Sequence, residues 1–374
     1  MIILYVCDSL ANFGGLERVL IDRANWLVDQ RDYEVCIVTV NQGCHPISFP
    51  LHSGVSYADL NILSYQHYRL PFWKRLFKKR QLQRLLCKRM ANIITEKKPD
   101  VIVCTRFDYL RVIDKTRGHI PFVYESHSAC LACRFEGDSL LRQLYVRYLL
   151  LAVNKAQMVV ALTKGDADEW LKLTSDVCVI PNVVNLNSSN TYSHCTSKSV
   201  IYVGRFCKQK DVASLLRIWT LVHQRHPDWS LHVYGGYGDE QEAFHKEVMR
   251  IDANIIIHES TLDIIEKYKD SSMLLLTSVY EPFGLVLPEA MSCGLPVVAF
   301  DCPYGPADII TDGVDGFLIR QRSIEMFADK VCLLMEDQEL RVKMGKAGIE
   351  SSKRYDASNI MPQWIDFFKQ FKEK

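Results

Sequence analysis

Short apolar runs alternate with helix-length segments along this 374-residue chain, stop, and then begin again. That double series constrains the fold more than any other feature. Apolar runs at residues 2–7, 35–40, 101–104, 121–125, 158–162 and 177–180 form the first series, and runs at 199–203, 229–234, 255–258, 273–277, 297–300 and 316–319 form the second. Residues 183–198, rich in Asn, Ser and Thr and without periodicity, read as a linker. Strands separated by helices build parallel sheets covered on both faces. The expected fold is therefore α/β, with two Rossmann-like, doubly wound domains at 1–182 and 199–354 facing a cleft. Ligands of such sheets bind outside the carboxyl ends of the strands.

A hydrophobic content of 48% and a charged content of 24% are those of a soluble globular protein. The net charge of +1 excludes a globally basic nucleic-acid binder, and no nucleic-acid partner is expected. Thirteen cysteines, scattered and odd in number, read as mostly buried thiols in a reducing compartment. The one close pair, Cys130 and Cys133, lacks the strand-then-helix setting of a redox motif. Met1-Ile2-Ile3-Leu4 has no basic head and reads as a buried strand rather than a signal peptide, and no run of about 18 apolar residues occurs. The expected location is cytoplasmic.

Candidate chemistry falls at the ends of these runs. Glu281-Pro282-Phe283-Gly284-Leu285-Val286-Leu287-Pro288-Glu289 follows one strand and opens a helix that should begin at Pro288 and stop at Gly294. It sets one carboxylate on a loop and a second at a helix start. The N–H groups of Phe283, Gly284 and Leu285 between them suit an anion. A sugar nucleotide, with hydroxyls at both ends and a diphosphate between, has the matching shape. Either glutamate alone also fits a solvated loop charge or a favourable first-turn acid. Arg205 and Lys210 in Gly204-Arg205-Phe206-Cys207-Lys208-Gln209-Lys210-Asp211 can converge on a diphosphate, one as a fork and one as a point charge. The bland reading is a solvated basic loop, and it suits Lys208. Asn12-Phe13-Gly14-Gly15 opens a helix without the three-glycine dinucleotide fingerprint, which argues against a dehydrogenase. His127, in Tyr124-Glu125-Ser126-His127, is either a structural hydrogen-bonder or an acid–base group, and Glu125 either binds acceptor or caps a turn.

These strings resemble the retaining glycosyltransferases of the family-4 type, with the two-domain GT-B fold, and in particular those that build bacterial surface polysaccharides. The resemblance runs from Gly14 to Gly316 and is weakest from Gly43 to Lys98. It implies that Gly14 and Gly15 lie across the donor phosphates and that Arg205 and Lys210 neutralise the leaving diphosphate. It places Glu281 on the sugar hydroxyls, Glu289 on the ribose, and His127 towards the donor sugar. Gly236, in a glycine loop, and His258 would flank the nucleoside. Glycine often follows the family lysine; here it is Asp211. A terminal helix from 355 to 374 crossing back to the first domain is also implied.

The weakest stretch carries nine basic residues: Arg69, Lys74, Arg75, Lys78, Lys79, Arg80, Arg84, Lys88 and Arg89. Phe72, Trp73, Leu76, Phe77, Leu82, Leu85, Leu86 and Met90 interleave with them. This is either a basic amphipathic helix for an anionic membrane surface or an ordinary helix with a solvated face.

The expected activity is transfer of a hexose or N-acetylhexosamine, with configuration kept, from a nucleotide sugar (UDP-sugar favoured) to a hydroxyl of a lipid-linked or polysaccharide acceptor. No metal and no cofactor are expected, because no carboxylate cluster suggests one and two cations can neutralise the leaving group. The rivals are a sugar-nucleotide epimerase on the same fold and an inactive sugar-nucleotide-binding subunit.

Overall fold

The computed structural model describes residues 1–65, 71–128, 130, 144, 147, 148, 150–189 and 191–372, without the side chains of Phe72 and Leu76. The chain divides into two compact units, one formed by Met1–Val183 with Met361–Lys374 and the other by Val184–Ile360.

In the first unit, β1 (Ile2–Cys7), β2 (Glu34–Thr39), β3 (Ser56–Asp59), β4 (Val101–Cys104), β5 (Phe122–Ser126), β6 (Met158–Ala161) and β7 (Val177–Val179) form one parallel sheet. Its order is β3-β2-β1-β4-β5-β6-β7, so the winding reverses between β1 and β4. The central strands β4 and β5 are buried at every position, with Glu125 and Ser126 as polar exceptions to their apolar runs, the signature of a sheet with helices on each side. The polar edge strand β3 carries no apolar run and has no signal in the sequence. Helices α1 (Gly15–Val28) and α2 (Phe72–Lys97) belong to this unit. So does the helix Ala357–Lys369 from Met361 onward, where Trp364 and Phe368 are buried.

The second unit holds β8 (Ser199–Val203), β9 (Ser230–Gly235), β10 (Ile255–Glu259), β11 (Met273–Leu276), β12 (Val297–Phe300) and β13 (Gly316–Ile319), all parallel. Their order, β10-β9-β8-β11-β12-β13, puts the reversal between β8 and β11.

Residues 183–198 are not a free linker, since all but the first belong to the second unit. Ser193 N–H donates to Cys293 O (2.8 Å), Asn187 N–H to Ser292 Oγ (3.0 Å), and buried Cys195 accepts from the Arg341 guanidinium. Polar composition signalled the lack of regular structure. It did not show that the backbone groups are satisfied on the packed surface.

Over most of its length the basic helix packs as an ordinary helix with a solvated face, one of its two sequence readings. Leu86, Met90 and Ile94, spaced four apart on α2, are buried in the first unit's core, and Leu82 and Leu85 pack against it. Only the start of α2 shows large apolar side chains to solvent, with Trp73 78% and Phe77 75% exposed. Arg69 and Cys133 lie outside the described residues; the described cysteines are all free thiols.

Candidate active site

The predicted donor residues of the second unit gather at the carboxyl ends of its strands. Arg205 follows β8 and is exposed. The turn that carries it is held by Gly204 N–H donating to Tyr234 O (3.0 Å) and Phe206 N–H to Gly236 O (3.4 Å). Gly236 sits against the Arg205 stem: a Cβ added there would lie 3.9 Å from Arg205 Cγ. Two residues on, Gly238 packs so closely that a Cβ would meet Phe206 O at 1.9 Å, so this loop needs glycine for close approach.

Lys210 ends the short 3-10 turn Lys208–Lys210, and Asp211 then adopts φ 47°, ψ 57°. This left-handed position explains why glycine suits it, and Asp is among the few other residues that visit the region readily. Asp211 also caps the helix Val212–Arg225, accepting from Ser214 N–H (3.1 Å) and Ser214 Oγ (2.7 Å).

Glu281 meets Lys210 there. Lys210 Nζ lies 2.5 Å from Glu281 Oε2, and Ser278 Oγ donates to the same oxygen at 3.0 Å. The Glu281 backbone is pinned on both sides, donating to Pro303 O (2.6 Å) and accepting from the N–H groups of Tyr304 (3.0 Å) and Gly305 (2.8 Å). Because Lys210 follows β8 and Glu281 follows β11, the pair straddles the winding reversal of the sheet. Open α/β sheets hold their ligands at such a point. Among the described residues, no hydrogen bond or ion pair joins Arg205 to this pair.

The helix after Glu281 starts earlier than the sequence suggests. It spans Val286–Ser292, with Leu285 as its cap and Pro288 and Glu289 one turn in. Gly284 at φ +95° makes the tight turn that lets it begin there. Pro288 remains within the first turn, where a missing N–H costs nothing. The amides of Phe283, Gly284 and Leu285 precede the helix and have no intrahelical acceptor. Gly294, at φ +84°, follows the helix end as expected. Glu289 is buried, and the Tyr268 hydroxyl donates to its Oε2 at 3.3 Å.

His258, near the end of β10, stacks on Tyr234 with ring centroids 4.3 Å apart, and its Nε2 lies 3.0 Å from His232 Nδ1. Burial, and then the Lys267 ammonium, lower the His258 pKa below its usual value. The side chain is thus engaged with the sheet.

In the first unit Gly14 caps α1 in extended conformation (φ −107°), so its glycine is not needed for a left-handed turn. A Cβ there would lie 2.4 Å from Glu17 Oε2, so a larger residue would make the Glu17 carboxylate shift. Gly15 begins the helix. His127 follows β5, with Nε2 2.8 Å from Glu125 Oε1; the separation is that of an ion pair, without hydrogen-bond alignment.

Glu125 itself neither meets solvent nor caps a turn. Its two oxygens accept from Arg23 Nη1 (2.8 Å) and Nη2 (2.5 Å) in a completely buried fork. Burial opposes its ionisation, but Arg23 and His127 outweigh that and pull its pKa down to about 2. Arg23, 4.0 Å beneath the Trp364 ring, has no sequence signal: it stands 102 positions from its partner in an ordinary amphipathic helix. Among the described residues no group of three or more His, Cys, Asp or Glu could hold a metal.

Two family models match consecutive parts of the chain: Glycosyltransferase Family 4 over residues 13–188 and Glycosyl transferases group 1 over residues 190–351. The chain is a glycosyltransferase of the family-4 type, with the GT-B fold. It is 27% identical to an uncharacterized glycosyltransferase of Haemophilus influenzae, covering 95% of this chain and 96% of that one. To the amylovoran biosynthesis glycosyltransferase AmsD of Erwinia amylovora it is 26% identical, covering 97% and 98%. Against the poly(ribitol-phosphate) alpha-N-acetylglucosaminyltransferase of Staphylococcus aureus the identity is 28% over 59% of this chain and 46% of the relative. Among solved structures, TarM superposes with a TM-score of 0.81 at 17% identity over 98% of both chains. Anabaena HepE in complex with UDP superposes with a TM-score of 0.76 at 21% identity, covering 99% of this chain and all of that one.

Proposed function

We propose that this glycosyltransferase moves a hexose or N-acetylhexosamine from a UDP-sugar, with retention, to a hydroxyl of a lipid-linked or polysaccharide acceptor in cell-surface glycan synthesis. The observation that carries the reading is the Lys210–Glu281 pair at the winding reversal of the second sheet. An ammonium held at a strand end beside a helix start is placed to take up charge as a diphosphate departs, and a second cation, Arg205, leaves the same β8 end. The metal-free route rests on those two cations. Glu281 is assigned the sugar hydroxyls and Glu289 the ribose; His127 and the Gly14-Gly15 turn contribute from the first unit by family resemblance. The UDP preference draws on HepE, and retention on the family and on the alpha product in the name of the staphylococcal relative.

Purified protein supplied with UDP- and GDP-sugars and a hydroxyl acceptor tests this directly. The expected result is EDTA-insensitive transfer from a UDP-sugar, with the donor's anomeric configuration in the product. An epimerised sugar nucleotide would favour the epimerase, and binding without turnover the inactive subunit.

The membrane surface enters through the start of α2. Exposed Trp73 and Phe77, one helical turn apart, stand among Lys74, Arg75, Lys79 and Arg80, which suits an anionic leaflet. Each such basic residue contributes about 1 kcal/mol at the surface. No helix among the described residues is long and apolar enough to cross a membrane. The expected placement is therefore peripheral, on the cytoplasmic face, where lipid-linked acceptors are presented. Flotation with acidic liposomes should be lost in a Trp73→Ala/Phe77→Ala variant and at high salt; indifference of the wild type to such liposomes refutes the docking.

A further inference from the structure

Arg322 belongs to none of the motifs above, and its local sequence, Arg320-Gln321-Arg322-Ser323, reads as a solvated basic loop. In the fold it is a junction. It follows β13, and both it (φ 50°) and Gln321 (φ 57°) adopt the left-handed backbone that non-glycine residues avoid. Two such residues in succession need contacts that outweigh the strain.

The guanidinium makes those contacts on both sides of the Lys210–Glu281 pair, with the Asp211 carboxylate on one and with backbone carbonyls on the other. Nη2 donates to Asp211 Oδ2 at 2.5 Å and to Thr277 O at 3.0 Å, and Nη1 donates to Ser278 O at 2.7 Å. Its face lies 4.4 Å from the Phe300 ring centroid, at the end of β12. Asp211 is the residue after Lys210, and Ser278 is the residue whose hydroxyl holds Glu281 Oε2. Thr277 closes the circuit, its Oγ1 reaching Lys210 O (3.0 Å) and Asp211 O (3.1 Å). One planar cation therefore ties the turn that presents Lys210 to the strand end that presents Glu281, and stacks on a third strand. Lysine has no fork with which to reach three acceptors in this way.

We propose that Arg322 is a positioning residue for the diphosphate-neutralising pair: it fixes where the Lys210 ammonium stands without touching the donor itself. This rests on Lys210 being a diphosphate contact, as proposed above. It also gives Asp211 a purpose beyond tolerating a left-handed turn. A glycine there would keep the turn and lose the anchor, whereas Asp keeps both.

The test is a double-mutant cycle read by calorimetric UDP affinity, with thermal melting as the fold control. Lys210→Ala should weaken UDP at least tenfold. Arg322→Ala should weaken it about fivefold alone and no further in the Lys210→Ala background, because it acts through that side chain. Arg322→Lys should restore less than half of the loss. If Arg322→Ala fails to fold, Asp211→Asn, which removes the charge but retains the cap acceptor, replaces it with the same expected non-additivity. Full UDP affinity in Arg322→Ala, or an independent loss that adds to that of Lys210→Ala, overturns the positioning role alone. Undiminished affinity in Lys210→Ala overturns the assignment of Lys210 to the diphosphate and the purpose given to Arg322 with it.

Discussion

Arg23–Glu125 in the first unit and Lys210–Glu281 in the second are both cation–carboxylate pairs near the carboxyl end of a sheet, and the two are built for opposite ends. In the first unit Arg23 grips both oxygens of Glu125 in a fork with side chains 1% and 0% exposed, closed over by Trp364 and Tyr5. In the second, Lys210 makes one point contact with Glu281 and the side chains stay 13% and 8% exposed. A buried fork in a dry surround has nowhere to go: removing one partner strands a charge, which typically costs 3–5 kcal/mol. A single ammonium contact within reach of solvent can be shared with an arriving phosphate. Similar charges at similar topological positions are thus a closed clamp in one sheet and, in the other, a more accessible pair suited to the proposed ligand role.

The largest expected effect tests the clamp. Arg23→Ala should lower stability by about 4 kcal/mol, a thousandfold in the folding equilibrium. Chemical denaturation would show it, and a loss under about 1 kcal/mol would mean that Glu125 finds other partners. The ligand site should respond in the reverse sense. Lys210→Ala and Arg205→Ala should each cut kcat by about 100-fold, the usual cost of losing a preorganised charge stabiliser, with little change in melting temperature. If Lys210→Ala melts early and turns over normally, the two pairs are alike after all.

How much of this contrast the sequence displayed depends on how local the signal was. Strand runs such as Ile2–Cys7 and Val297–Phe300 were legible because parallel strands buried on both faces are written as continuous apolar text. Glu281, Lys210 and the glycines were legible because turns and helix starts carry short-range signatures. The fork between Arg23 and Glu125 was not, since a charge bears no mark of the partner that a fold will bring it. Asp211 shows the intermediate case: the position was found, and its left-handed backbone explains the residue only once seen.

A finer division is expected between the second unit's own carboxylates. Glu289→Ala should weaken UDP by about tenfold, the worth of a charge-assisted hydrogen bond. Glu281→Ala should impair transfer and leave UDP affinity nearly unchanged. Calorimetry showing the reverse would exchange their roles.

The smallest effect is a matter of pH. Glu125 is held down to about 2 in the fold, against about 4.3 in an unfolded chain. Its contribution is therefore complete above about pH 4.3 and fades as the pH falls towards about 2. The gap in melting temperature between wild type and Glu125→Gln should accordingly narrow on acidification, and a constant gap would show that Glu125 carries no proton linkage.

The ring that covers Arg23 arrives late. Trp364 lies in Met361–Lys374, the piece of the first unit that the ribosome makes after the whole of Val184–Ile360. During synthesis the second unit, continuous in the chain, can close on itself while the first still lacks its last helix. Until residues 361–369 emerge, the guanidinium of Arg23 lacks the Trp364 side of its aromatic cover. The nascent chain therefore carries a finished second unit tethered to an incomplete first, and the synthesis of residues 361–369 decides when the first unit's core is complete.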